Sequence, residues 1–172
     1  SDKQLTITHS GNAFTWADVE RLCKSASHND TDIAAKTANL KTTGLKGVGF
    51  KSIFSISSAA EVHSQGIDKA SGMLRQYRFK FDEAYWRRQS EQHFSEYKIK
   101  YPWPIIPIPL EIETDSNSIS DVQFVLNKIN VAHVRKDLEA FLLNPEIILF
   151  LRHITCITVT LGNKTTQIVK EL

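Results

Sequence analysis

The chain has 172 residues, 41% of them hydrophobic and 23% charged, which suits one globular domain with a substantial core. A formal charge of +2 gives no reason to expect a strong polyelectrolyte partner, and no apolar run approaches the roughly twenty residues that span a bilayer. Cys23 and Cys156 are too few and too far apart for a disulfide framework or a metal set, and both are expected to be buried thiols in a reducing, cytoplasmic or nuclear compartment.

The opening Ser1-Asp2-Lys3-Gln4 carries neither a secretory signal nor an initiating Met, as in an excised fragment. Leu5 to Thr8 alternates as a short strand, stopped by the turn signal His9-Ser10-Gly11-Asn12. Thr15 is placed to cap a helix from Trp16 to about Ser25, with Asp18 completing a short capping box. Residues 25–43 are small, polar and without a firm apolar period, the composition of a mobile lid or an irregular surface loop.

Residues 44–52 form the densest glycine stretch, Gly44-Leu45-Lys46-Gly47-Val48-Gly49-Phe50-Lys51-Ser52, and an apolar run follows at once. Glycines let the main chain approach a ligand closely, and a helix starting at Phe50 would turn its free N–H groups toward an anion. Lys46 and Lys51 would add point charges. The frame is not that of a Walker A loop, because Phe50 separates Gly49 from Lys51. Nor is it a dinucleotide fingerprint, since no third glycine follows Gly47-Val48-Gly49. A plain glycine-containing connection with solvated lysines is the competing reading.

Downstream, Ala60 to Ser64 and Met73 to Phe81 read as paired strands around a turn at 67–72, and Asp82 to Tyr97 reads as a helix. The prolines at 102, 104, 107 and 109 restrict that segment to an extended edge position. Leu110 to Glu113 alternates, and Asp121 to Ile129 is a further strand. Helices are expected over Val134 to Leu143 and over Pro145 to Leu151. Ile154 to Leu161 and Thr165 to Leu172 form a hairpin about Gly162-Asn163. Hairpins with helices grouped between them indicate an α+β two-layer sandwich, a mixed sheet covered on one face.

Residues 44–54 resemble the lid-end glycine motif of the GHKL ATPases, the superfamily of gyrase, heat-shock chaperones, histidine kinases and MutL. The resemblance is nearest to the sacsin-like and NO VEIN-like branch, where similar motifs end in Phe-Lys-Ser. Phe14-Thr15-Trp16-Ala17-Asp18-Val19, Glu61-Val62-His63-Ser64 and Pro145-Glu146-Ile147-Ile148-Leu149-Phe150-Leu151 fit that branch too, whereas residues 69–120 contribute little.

The resemblance implies the Bergerat fold, one ATP-binding domain over residues 1–172 with its lid at 25–43. Phosphates would be held by Gly44, Lys46, Gly47, Val48, Gly49, Phe50 and Lys51, mostly through backbone N–H groups. The base would face Ser10, Gly11 and Asn12. In the family an Asp accepts from the adenine amino group; Ser10 stands in its place, and an uncharged acceptor makes a bond about half as strong. The family's magnesium-binding Asn and water-activating Glu lie upstream of the first strand. Magnesium would therefore be bound through residues outside this chain, and hydrolysis by this fragment is expected to be poor.

The function so implied is nucleotide-driven lid closure that controls attached domains of a larger, chaperone-like protein. Two other readings compete: a degenerate, nucleotide-free interaction module on the same fold, and nucleic-acid binding through the basic and aromatic segment 75–101. The six histidines show no paired metal spacing, no Ser–His–Asp or Cys–His arrangement can be picked out, and Glu111 with Glu113 read as a solvated strand edge.

Overall fold

The computed structural model describes residues 3–24, 49–68, 71–93, 102–112, 122–151 and 154–170. The lid expected at 25–43 and the loop residues Gly44, Lys46, Gly47 and Val48 lie outside them. The chain packs as two compact units, one ending at Ile129 and one running from Asn130 to Leu172.

In the first unit the described elements are β1 (Gln4–His9), α1 (Trp16–Cys23), a 3-10 helix (Phe50–Ser55), β2 (Ala59–Ile67), β3 (Leu74–Asp82), α2 (Glu83–His93), a 3-10 turn (Trp103–Ile105), β4 (Ile108–Pro109) and β5 (Val122–Asn127). The strands form one sheet in the order β1-β5-β2-β3-β4. The class is α+β, as the pattern of elements indicates. A mixed sheet is the sequence expectation; every pairing among the described strands is antiparallel, as the tight β2–β3 turn requires for its own pair.

Register divides the sheet into two chemically different faces. Ala60 pairs with Phe81 and Leu126, and Val62 with Phe79 and Phe124, so these residues share one face. Val19 of α1 joins Val62, Phe79 and Phe81 in the core, with Phe14, Leu22, Phe50, Phe54 and Trp103 packed around them. Six phenylalanine or tryptophan rings meet there with centroids 4.7–5.7 Å apart, among them Phe54–Trp103 at 4.7 Å and Phe50–Phe124 at 5.7 Å. The opposite face carries Glu61, His63, Arg78, Lys80, Gln123 and Asn127. Alternation in β2 is therefore apolar inward and polar outward, the signature of a sheet covered on one side.

The proline segment behaves as its chemistry demands. Pro104 sits in the 3-10 turn, and Pro109 ends a two-residue edge strand. The alternation at Leu110 to Glu113 does not make a strand over its described part. Leu110 N–H bonds Arg78 O just past Pro109, and residues 110–112 continue without a ladder.

The second unit holds α3 (Val131–Leu142), a 3-10 helix (Pro145–Phe150), β6 (Cys156–Leu161) and β7 (Lys164–Val169). Gly162 turns the β6–β7 hairpin at φ +62, a conformation open to glycine without strain. Alternation turns Cys156 outward, so it is an exposed thiol accepting from Gln167 Nε2 at 3.0 Å, not a buried one.

Candidate functional site

The loop between β1 and α1 carries Ser10, Gly11 and Asn12. Its exit is fixed by side chains rather than by length. Phe14 N–H donates to Ser64 Oγ at 2.7 Å, and Ser64 is buried on β2. One residue on, Thr15 Oγ1 accepts from Asp18 N–H at 3.3 Å while Asp18 Oδ2 accepts from Thr15 N–H at 2.9 Å, the expected capping box. His9 fills the space beside Gly11: a Cβ there would lie 2.6 Å from His9 Nδ1. The side chains of Ser10 and Asn12 are left exposed.

At the other segment, Gly49 precedes the 3-10 helix with φ −57 and ψ −48, helical angles that any residue adopts. Its Cβ position has no neighbour within 4 Å, so there is open room for close approach to this backbone. The helix expected to begin at Phe50 is a short 3-10 helix, too brief to gather the aligned peptide dipoles of a long α-helix.

Lys51 is placed differently from its neighbours. Its ammonium donates to the carbonyls of Leu22 and Pro104 and lies 5.1–5.9 Å from the ring centroids of Phe50, Phe54 and Phe81. Burial lowers its pKa to about 8, against the opposing influence of the nearby Cys23 thiol. The same burial raises the pKa of Cys23. Lys51 thus ties the last turn of α1 to the 3-10 turn at Trp103–Ile105, and its charge is spent inside the protein.

The two segments are 37 residues apart in sequence, Asn12 to Gly49, yet aromatic residues beside or within each pack against one side chain. Phe124 of β5 lies 6.2 Å from the His9 ring, 6.2 Å from Phe14 and 5.7 Å from Phe50. The residues flanking Ser10–Asn12, His9 and Phe14, and Phe50 of the second segment thus pack on one side chain of the sheet. Neither Phe124 nor Ser64 stands out in the sequence. The period of two through Ala60, Val62 and Ser64 was the available signal that Ser64 points inward.

The basic and aromatic segment is dispersed over its described part. Tyr77 and Phe79 turn to the core face, Arg78 and Lys80 to the other. Arg75 pairs with Asp68, Lys80 lies 3.4 Å from Asp82, and Arg87 lies 2.5 Å from Glu83. Lys98, Lys100 and Tyr101 lie outside the described residues. Among the described residues, no group of three or more His, Cys, Asp or Glu side chains is placed to hold a metal ion, and no helix is long and apolar enough to cross a membrane.

The fold and the site define an α+β domain with two candidate ligand segments, beside or within which aromatic residues pack on Phe124 of the sheet. No family model matches the chain. Over 116 residues, 67% of this chain, it is 29% identical to Protein NO VEIN of Arabidopsis thaliana. The chain spans only 3% of that protein's length.

Proposed function

We propose that the unit ending at Ile129 is a GHKL-type ATP-binding module, related to the sacsin-like and NO VEIN-like branch, in which nucleotide controls a lid and, through it, attached domains. The observation that carries this reading is that His9 and Phe14, which flank Ser10–Asn12, and Phe50, next to Gly49, all pack against Phe124. Distant similarity to NO VEIN supports it.

The residues present suit the ligand at two points. Ser10 and Asn12 leave a hydroxyl and an amide exposed for a purine edge, and the open space at Gly49 admits a phosphate against the backbone. Bound ATP would contribute the phosphate charge, for which Gly44, Lys46, Gly47 and Val48 are the proposed holders. Lys51 contributes its N–H only, and magnesium would be held by residues outside this chain.

Calorimetric titration of the chain with ATP and ADP, with and without magnesium, tests the reading. Binding should be seen in the wild type and be lost in Gly47→Ala/Gly49→Ala with an unchanged far-UV spectrum. The helical angles at Gly49 make that half of the change sterically neutral. The engagement of Lys51 by Leu22 and Pro104 favours a second reading, a nucleotide-free interaction module. Absence of any heat or thermal shift from adenine nucleotides, in a folded sample, would decide for it.

A further inference from the structure

The face of the sheet that bears Glu61 and Lys80 holds a cavity of about 550 Å³ at its Ala59–Asp82–Asn127 end. Glu61, Lys80 and Asn127, which line it, point away from Val62, Phe81 and Leu126, so it is separate from the site over Phe124. Its volume lies within the range of small-molecule sites. Ala59 and Ile129 contribute apolar wall; Lys3, Lys80 and Lys128 contribute ammonium groups; Glu61 and Asp82 contribute carboxylates.

The carboxylates in this cavity are already engaged, while the ammonium groups keep donors to spare. Asp82 accepts from Tyr85 N–H at 3.1 Å and from Lys80 Nζ at 3.4 Å. These bonds, with the charge of Lys128, hold its pKa below the ordinary value in spite of burial, which acts the other way and is the largest single influence. Glu61 accepts from Asn127 Nδ2 at 3.2 Å and lies 3.2 Å from His63 Nε2. An ammonium carries three donors. Lys80 commits one of them to Asp82, Lys128 Nζ stands 3.8 Å from Asp82, and the Lys3 ammonium has no partner among the described residues. The unmet capacity is cationic.

A second observation falls on the same residues. Lys128 has φ +59, and among the described residues no other non-glycine residue has a positive φ. That conformation is disfavoured for a side chain with a Cβ, and glycine would adopt it freely. The turn at the end of β5 needs only the backbone conformation. What lysine adds there, against the strain, is a charge at the rim of the cavity.

The geometry points to a binding site for small organic oxyanions, a phosphomonoester or a di- or tricarboxylate. The ammonium groups of Lys3, Lys80 and Lys128 hold the anionic group, and the body rests against Ala59 and Ile129. The site needs neither the glycine loop nor ATP.

Pyrophosphate and citrate, titrated separately into the full chain and followed by backbone amide shifts, are the probes. Shifts at Phe81, Lys128 and Ile129 are expected, and whichever probe binds names the anion class. Lys128→Gly relieves the positive φ, so its thermal midpoint should be equal or higher. Its affinity should fall roughly tenfold, the size of one lost charge-assisted hydrogen bond. Lys3→Ala added to it should weaken binding further. No shift at these amides with either probe, or an affinity unchanged in Lys3→Ala/Lys128→Gly, overturns the proposal. Gly47→Ala/Gly49→Ala serves as the control: it should lose ATP and keep the oxyanion, so the two sites can fail independently.

Discussion

Lys51 shows how far a residue's neighbourhood in space can depart from its neighbourhood in sequence. Next to three glycines it reads as a phosphate ligand, but the carbonyls of Leu22 and Pro104 and three phenylalanine rings claim its ammonium. Its folded pKa of about 8 lies below the ordinary lysine value of 10.5, so folding disfavours the charged form. Between pH 8 and 10 the unfolded chain holds a proton on this lysine that the folded chain has released. Stability carried by this residue therefore rises with pH across that window, by at most about 1.4 kcal/mol per unit and less because the side chain is only partly buried. Urea denaturation of wild type and Lys51→Met at pH 7, 8, 9 and 10 should show a gap that moves in favour of the wild type as pH rises. A gap independent of pH would mean that the amine keeps its ordinary pKa. Ser64 belongs to the same scale. Ser64→Ala leaves the Phe14 N–H without its acceptor and should cost about 1–3 kcal/mol in chemical denaturation. A loss below the error of the fit would show that another acceptor replaces the hydroxyl.

Elements were more legible than side-chain destinations because their signals are local. Thr15 and Asp18 sit three apart before an apolar helical face, and the reciprocal cap forms as that spacing dictates. Thr15→Ala should cost about 1 kcal/mol, read from the denaturation midpoint at constant slope. The β2–β3 and β6–β7 hairpins were likewise legible, from alternation on either side of glycine-containing turns. Legibility ended where tertiary context decides. Leu110 to Glu113 alternates like a strand, but past Pro109 only Leu110 N–H bonds back to Arg78 O, and its described part adds no further ladder. The segment after Gly49 is apolar enough for an α-helix, yet two of its phenylalanines must reach Phe81, and a 3-10 helix brings them there. The oxyanion cavity left no sequence signal at all. Lys3, Lys80 and Lys128 are scattered along the chain and assembled only by strand register, and the positive φ of Lys128 falls on a residue type that rarely adopts one.

At the scale of the whole molecule, the division at Ile129 makes a separable claim about stability and binding. The first unit contains the aromatic core, with Val62 and Phe81 fully buried, together with every described residue of both candidate sites. Among the described residues of Asn130 to Leu172, the buried hydrophobic ones are Val134, Ile148 and Ile168. A piece near 40 residues with so little buried apolar surface and no disulfide does not offset its chain entropy, and an isolated two-stranded hairpin is marginal in water. A chain ending at Ile129 should therefore unfold cooperatively and keep dispersed amide resonances, while the peptide from Asn130 onward should be unfolded by itself. If both proposed sites belong to the first unit, the shortened chain should bind ATP and citrate with affinities within a factor of about three of the full chain, a difference of under 1 kcal/mol. Loss of ATP binding with retention of citrate would assign the second unit a part in the nucleotide site, and loss of both in a folded sample would mean that neither site is built from the first unit alone.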